Sequence, residues 1–161
     1  MSTDRTVLLH PYTAGVWPER QQATWEALAV VSQVFGGRVW DLACEAPTDY
    51  ATMLNMLAMA GTRVLVVEHD IVPTVPLVFE LLACAAPVCA HDYQVGPGVN
   101  WADIPGALGL GLAKVTGAAW DAITERPRVP IVSWDQVAGE LATRLPPVHV
   151  HHGRVVHNHP Y

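Results

Sequence analysis

The stretch Val64-Leu-Val-Val-Glu68-His-Asp70-Ile-Val-Pro73 sets two carboxylates directly behind four apolar, strand-forming residues. Two acids one residue apart on an extended chain lean to the same face, roughly 6–7 Å from each other. Such a pair repels unless something positive lies between, and a divalent cation is the simplest candidate. A second concentration of chemistry is the tail, where five of the eight histidines fall between His149 and His159. Hard cations take carboxylate oxygens, and manganese and its neighbours also accept imidazole. On a strand, His157 and His159 would share a face with Val155. A carboxylate pair on a central strand plus one terminal histidine is therefore a candidate metal site. The plainer readings beside it are an ordinary acidic turn and a solvated histidine-rich tail.

Elements that would position these groups can be read on either side of them. Thr6–Leu9 is a short apolar strand, followed by a polar loop from His10 to Gly15. Pro18 opens a helix whose stripe is Ala27, Val30, Val31 and Val34, and Gly36-Gly37 ends it. Arg38–Leu42 reads as a second strand that ends near Asp41. Thr48 or Asp49 caps the next helix, with Tyr50, Met53, Leu54 and Leu57 on its buried face and Gly61 at its end. The acid-tipped strand comes next. Strand, helix, strand, helix, strand predicts an α/β fold, a three-layer αβα Rossmann-like domain on a mostly parallel mixed sheet. Residues 1–161 are expected to form a single domain. Ligands of such sheets bind beyond the carboxyl ends of the strands. The loop at Pro11, Tyr12 and Thr13, then Asp41, then Glu68–Asp70, should converge on one crevice.

Further along, Pro73 and Pro76 start a helix to about Ala85, and Val88–Tyr93 is another strand. Gln94–Pro105, with Trp101 and Asp103, reads as a mobile loop over the crevice. Leu108–Val115 is expected as a strand and Gly117–Ile123 as a short helix. Ser133 and Gln136 form a capping box for a helix to Leu145. The tail is predicted to fold back at His152-Gly153 as a hairpin.

The 161 residues are 51% hydrophobic and 15% charged, enough for a real core and too apolar for disorder. A net charge of −6 leaves no broad basic surface for duplex nucleic acid. Cys44, Cys84 and Cys89 are an odd number without metal-type pairing, and read as small buried thiols in a reducing compartment. The first residues lack a signal-peptide pattern, and no apolar run reaches the roughly 18 residues of a spanning helix. The expected location is the cytoplasm, with no membrane partner.

The order Asn55-Met-Leu-Ala-Met-Ala-Gly61-Thr-Arg-Val-Leu-Val-Val-Glu68-His-Asp70 resembles glycosyltransferases of the GT-A fold, family-2-like. Those enzymes carry an acidic DxD-type motif at the end of a central strand; here Glu replaces its first Asp. Cys84-Ala-Ala-Pro-Val-Cys-Ala-His-Asp-Tyr93, Leu108-Gly109 and Val-Val-His157-Asn-His159 are similar to small phage and bacterial members, and the resemblance runs from Thr6 to His159. It implies a metal-dependent transferase, of hexosyltransferase type, that uses Mn²⁺ or Mg²⁺ and a nucleotide-sugar donor, a UDP-sugar first. Asp70 would ligate the metal, Glu68 would touch the metal or the ribose, and His157 would complete the site with His159 as the competing choice. Pro11, Tyr12, Thr13, Asp41 and Asn55 would hold the nucleoside, Tyr12 by stacking and Asp41 by accepting a hydrogen bond.

An inverting transfer needs a general base. Asp135, at a helix start after the metal motif, is the expected one, although the helix dipole favours an acid there anyway. Asp92 and Asp103 stand in reserve. Trp101 and Trp134 are available to stack on sugar faces, Trp25 and Trp40 are assigned to core packing, and Lys114 is a weak candidate for phosphate. The acceptor stays open between a glycan and a modified phage DNA base. The short chain leaves a minimal acceptor side, which a homo-oligomer would extend. Two rivals compete: a nucleotidyltransferase, which would need a Gly-rich loop and a basic residue that His10–Gly15 lacks, and a nucleotide- or metal-binding module without turnover.

Overall fold

A computed structural model describes residues 6–13, 18–35, 38–59, 62–105, 107–116, 119 and 147–158. Its elements run β1 (Thr6–Thr13), α1 (Pro18–Phe35), β2 (Arg38–Cys44), α2 (Pro47–Met59), β3 (Arg63–Val67), β4 (Ile71–Val72) and α3 (Val75–Ala83). They continue with β5 (Val88–His91), β6 (Gln94–Gly96), β7 (Val99–Asn100), a 3₁₀ turn at Trp101–Asp103, β8 (Leu112–Val115), β9 (His149–His151) and β10 (Val156–His157). Six strands form the central sheet in the order β2-β1-β3-β8-β5-β9. Neighbours pair in parallel except where β8 runs antiparallel between β3 and β5. This is the mixed, mostly parallel α/β sheet that the alternating pattern predicts.

Val64, Leu65, Val66 and Val67 of β3 are fully buried, as are Leu112, Ala113 and Val115 of β8. Successive side chains on a strand point to opposite faces, so strands buried at every position are covered on both sides. That is the physical reason β3 is a run of four apolar residues rather than an alternation. Tyr50 and Leu57 of α2 are buried as expected, and the Asp49 carboxylate accepts from the Glu45 and Ala46 backbone N–H groups at 2.9 and 3.0 Å. On α1 the buried stripe is Thr24, Leu28 and Val31, whereas Val30, expected inside, is 55% exposed.

Three expectations about connections are corrected. Pro11, Tyr12 and Thr13 are not a loop: β1 continues to Thr13, opposite a β2 that continues to Cys44, with His10 beside Asp41. β3 accompanies β1 only as far as Leu9, so Pro11 lies on a stretch with a single ladder, where a proline is tolerated. Gln94–Pro105 is an ordered β6–β7 ribbon, turned by Pro97-Gly98 with Gly98 at φ +70°, where glycine is favoured. Trp101 then anchors it in the core: it is 4% exposed and its indole N–H donates to the His91 carbonyl at 2.9 Å. The tail is not a hairpin either. β9 joins the β5 edge in parallel and β10 crosses to pair antiparallel with β4. Gly153, between them, passes so close to Leu77 and His91 that a Cβ would lie 2.7 and 2.9 Å from their atoms.

The cysteines also differ from expectation. Cys84 and Cys89 form a disulfide and only Cys44 is a free, buried thiol. Of the expected helix at Gly117–Ile123 only Ala119, helical and buried, is among the described residues, and the expected helix at Ser133–Leu145 lies outside them. Among the described residues no helix is long and apolar enough to cross a membrane.

Candidate functional site

The acid-tipped strand ends in a tight turn. The Glu68 carbonyl accepts the Ile71 N–H at 3.1 Å, and the Glu68 N–H donates to the Gly111 carbonyl at 2.9 Å. β4 follows at once, and its pairing with β10 sets His157 opposite Ile71. The tail thereby delivers His157 to the motif: its Nε2 lies 3.0 Å from Asp70 Oδ2, and the Asn158 N–H donates to the Asp70 carbonyl at 2.7 Å. Both side chains are largely buried, at 11% and 8% exposure.

Both ring nitrogens of His157 face acceptors, because Nδ1 is hydrogen-bonded to the Gln94 carbonyl. Nδ1–H serves that carbonyl, so Nε2 needs either a second proton or a cation to face Asp70. Burial disfavours the imidazolium, but the bond and charge of Asp70 and the Gln94 carbonyl more than offset it and hold His157 above its usual range. For Asp70, burial alone would raise the carboxyl; the His157 bond and charge, with His69, bring it below its ordinary value.

Glu68 does not join this pair in a three-ligand cluster. The one group of three or more such side chains found among the described residues is Cys84, Cys89 and His151. Glu68 instead meets the buried Tyr50 phenol, whose pKa is driven well up by burial first and then by the Glu68 charge. The end of β1 is tied to the same turn from the other side. His10, fully buried, donates from Nδ1 to the Val67 carbonyl at 2.8 Å, and Thr24 of α1 donates to the His69 carbonyl at 3.0 Å. Tyr12 stacks on His10 at 5.8 Å and meets Trp25 edge-on at 5.5 Å. Asp41 is exposed on β2 in register with His10.

On the tail side lies an open cleft of about 670 Å³. His157, Tyr93, Asp92, Asn100, His152 and Arg154 are among the residues that line it. Tyr93 packs edge-on against His157 at 5.0 Å. Asp92 accepts the Ala102 N–H at 3.4 Å and sits 3.7 Å from His152.

The structure thus brings Asp70 and His157 together, with Glu68 adjoining in the turn and Tyr12 on the side of the turn that His10 and Thr24 tie down. Pro11 and Thr13 are strand residues, Asn55 lies on α2, and Asp135, Trp134 and His159 lie outside the described residues. Trp101 is core rather than sugar platform, and Lys114 is buried with its ammonium on the Cys84 carbonyl, out of reach of a phosphate. Trp25 and Trp40, expected in the core, are 43% and 38% exposed. Trp25 and Arg154 are the site residues the sequence did not single out. An exposed tryptophan on a helix has no periodic signature, and Arg154 reaches the cleft only through the strand exchange of the tail.

No protein-family model and no curated protein matches the chain. Among solved structures it is similar to a glycosyltransferase involved in the glycosylation of the major capsid of PBCV-1. The likeness covers 91% of this chain and 81% of that one, at 13% identity and a TM-score of 0.56. At that identity the likeness is one of fold.

Proposed function

We propose that the chain is a metal-dependent glycosyltransferase that takes its sugar from a nucleotide-sugar donor, with a GT-A-type motif at Glu68-His69-Asp70. The observation that carries this reading is the Asp70–His157 pair: a fixed imidazole whose Nε2 is aimed at a carboxylate oxygen. An Nδ1–H anchored on a carbonyl is how a ligating histidine is oriented, and the oxygen–nitrogen donor set suits Mn²⁺ or Mg²⁺. The fold likeness to a glycosyltransferase supports the same class. When bound, the cation supplies counter-charge for a diphosphate leaving group.

The chain's own residues divide the remaining work. Tyr12 and Trp25 offer aromatic faces for the base, with UDP the first expectation, and Asp41 offers an acceptor for the nucleoside. Glu68, held by Tyr50, serves the ribose. Arg154 presents a guanidinium suited to phosphate oxygens. Asp92, in the cleft beside His157, is the base that the described residues supply for an acceptor hydroxyl, with Asp135 as its rival. His159 is the rival of His157. The acceptor is a hydroxyl on a glycan or a protein, in keeping with the acidic charge.

A thermal-shift panel of UDP, GDP, CMP and TDP, each with and without Mn²⁺, tests the reading. The expected result is a rise in melting temperature that needs one nucleotide and the metal together. Asp70→Asn and His157→Ala should lose that rise while still melting cooperatively. Turnover by Asp70→Asn should fall by at least about 100-fold, equivalent to about 2.7 kcal/mol. An undiminished joint shift in Asp70→Asn would remove the metal from this site. A shift with metal alone and none with any nucleotide would leave a binding module.

A further inference from the structure

A second donor cluster lies apart from Asp70 and His157, at the outer edge of the sheet. β5 pairs β9 with Cys89 opposite His149 and His91 opposite His151, so these four share one face. Over that face runs α3, which ends at Ala83 and brings Glu80 and Cys84 down onto it. The Cys84 and Cys89 sulfurs and a ring nitrogen of His151 all lie within 4.8 Å of one another. The His151 Nδ1 is 3.1 Å from Glu80 Oε1. Its Nε2 is buried and has no hydrogen-bond partner among the described residues.

A disulfide accounts for the two sulfurs but not for that nitrogen. A buried imidazole nitrogen left unpaired is destabilising by about 1–3 kcal/mol, and the carboxylate on Nδ1 fixes the tautomer that leaves Nε2 as a lone pair. Carboxylate, histidine and a vacant lone pair in line is the arrangement of a metal-ligating histidine with its orienting partner. The cysteines read from the sequence as lacking metal-type pairing, but the four residues between Cys84 and Cys89 fall at the upper end of the usual span of a zinc-binding cysteine pair. Tetrahedral zinc, with Zn–S near 2.3 Å, sets two sulfurs about 3.7 Å apart, which small side-chain rotations reach from here. Lys114, directly opposite Cys89 on β8, is a buried ammonium that favours thiolates nearby.

We infer that Cys84 Sγ, Cys89 Sγ and His151 Nε2 form, in the dithiol state, a site for a thiophilic divalent cation of the zinc class, with Glu80 orienting the imidazole. Soft thiolates select such a cation over the hard one proposed at Asp70. No further Cys, His, Asp or Glu among the described residues joins the group, which leaves the fourth position open to water. The redox balance is simple. A dithiol reductant adds two electrons and two protons to the Cys84–Cys89 bond and leaves as its cyclic disulfide; the metal then displaces both thiol protons to solvent.

The test uses the whole chain, reduced with a dithiol, freed of reductant under anaerobic conditions, and titrated with Zn²⁺ or Co²⁺. Cobalt should give a thiolate charge-transfer band that zinc abolishes, and one equivalent of zinc should slow alkylation of Cys84 and Cys89. Cys44 serves as the internal reference, since burial pushes its thiol up to about 11. The oxidised chain should give no band. Glu80→Gln should weaken zinc binding by about 10–100-fold, His151→Ala by at least as much, and Asp70→Asn not at all. That last variant separates this site from the donor site, so either proposal can fail alone. No cobalt band together with an unchanged alkylation rate in the wild-type chain would overturn the assignment, with no variant required to fold.

Discussion

At the scale of single residues, His10 shows how a polar group serves a core position. It is fully buried at the end of the β1–β3 pairing, spends one nitrogen on the Val67 carbonyl, and leaves Nε2 without a partner among the described residues. Burial lowers its pKa, with the Val67 carbonyl and Asp41 pulling back upward and His69 adding to the depression. The native state therefore binds this proton less readily than the unfolded chain does. Stability from a neutral His10 is fully present above its ordinary value of 6.5 and is lost as pH falls from there toward the depressed one. Melting temperature followed from about pH 7.5 to about pH 5 should fall more for the wild type than for His10→Phe. Parallel curves would show that His10 carries no share of the acid sensitivity. The same scale shows what the sequence made legible. Asp70 stands out by type and position, as an acid behind four apolar strand formers, whereas the sequence left His157 open against His159 and only the β4–β10 pairing brings His157 to Asp70. Trp25 and Trp40 were misjudged for the opposite reason: size and apolarity favour burial on average but do not say which face of α1 or β2 is open.

At the scale of elements, the alternation of β1, α1, β2, α2 and β3 was legible because each helix carries its own start and stop, at Pro18 and Gly36 for α1 and at Asp49 and Gly61 for α2. The last third was not. β4 and β10 are two residues each, too short for any periodicity, and they exist only because they pair with each other. The tail joins two separate sheets, and two truncations separate its roles. A chain ending at Gly153 keeps β9 on the β5 edge but loses β10 and His157. It should keep the oligomeric state of the full chain and be less stable by about 1–3 kcal/mol, since Asp70 loses its partner. A chain ending at Pro146 also bares the β5 edge, with its unpaired backbone groups, and should aggregate. Urea unfolding and size-exclusion chromatography read the two effects. Equal behaviour of the two chains would mean that β9 gives the β5 edge no protection.

At the scale of the whole molecule, charge decides which acceptors are within reach. Fifteen acidic against nine basic side chains leave −6, so the long-range field averaged over the molecule repels a polyanion. Arg154 gives the cleft a local cation, enough for a diphosphate but far short of the 6–10 phosphate contacts of a tight duplex binder. Unmodified duplex DNA should therefore bind no more tightly than the nonspecific range of about 10⁻⁴ to 10⁻⁶ M at physiological salt. Its slope of log affinity against log salt should correspond to only one or two contacts, roughly −1 to −2. Fluorescence anisotropy over a salt series measures both quantities. A nanomolar affinity with a steep slope would reveal a basic track that net charge conceals, and would put a DNA-borne acceptor ahead of a glycan. A weak affinity with a shallow slope is the outcome that the proposed glycan or protein acceptor requires, since net charge then offers a duplex no long-range attraction.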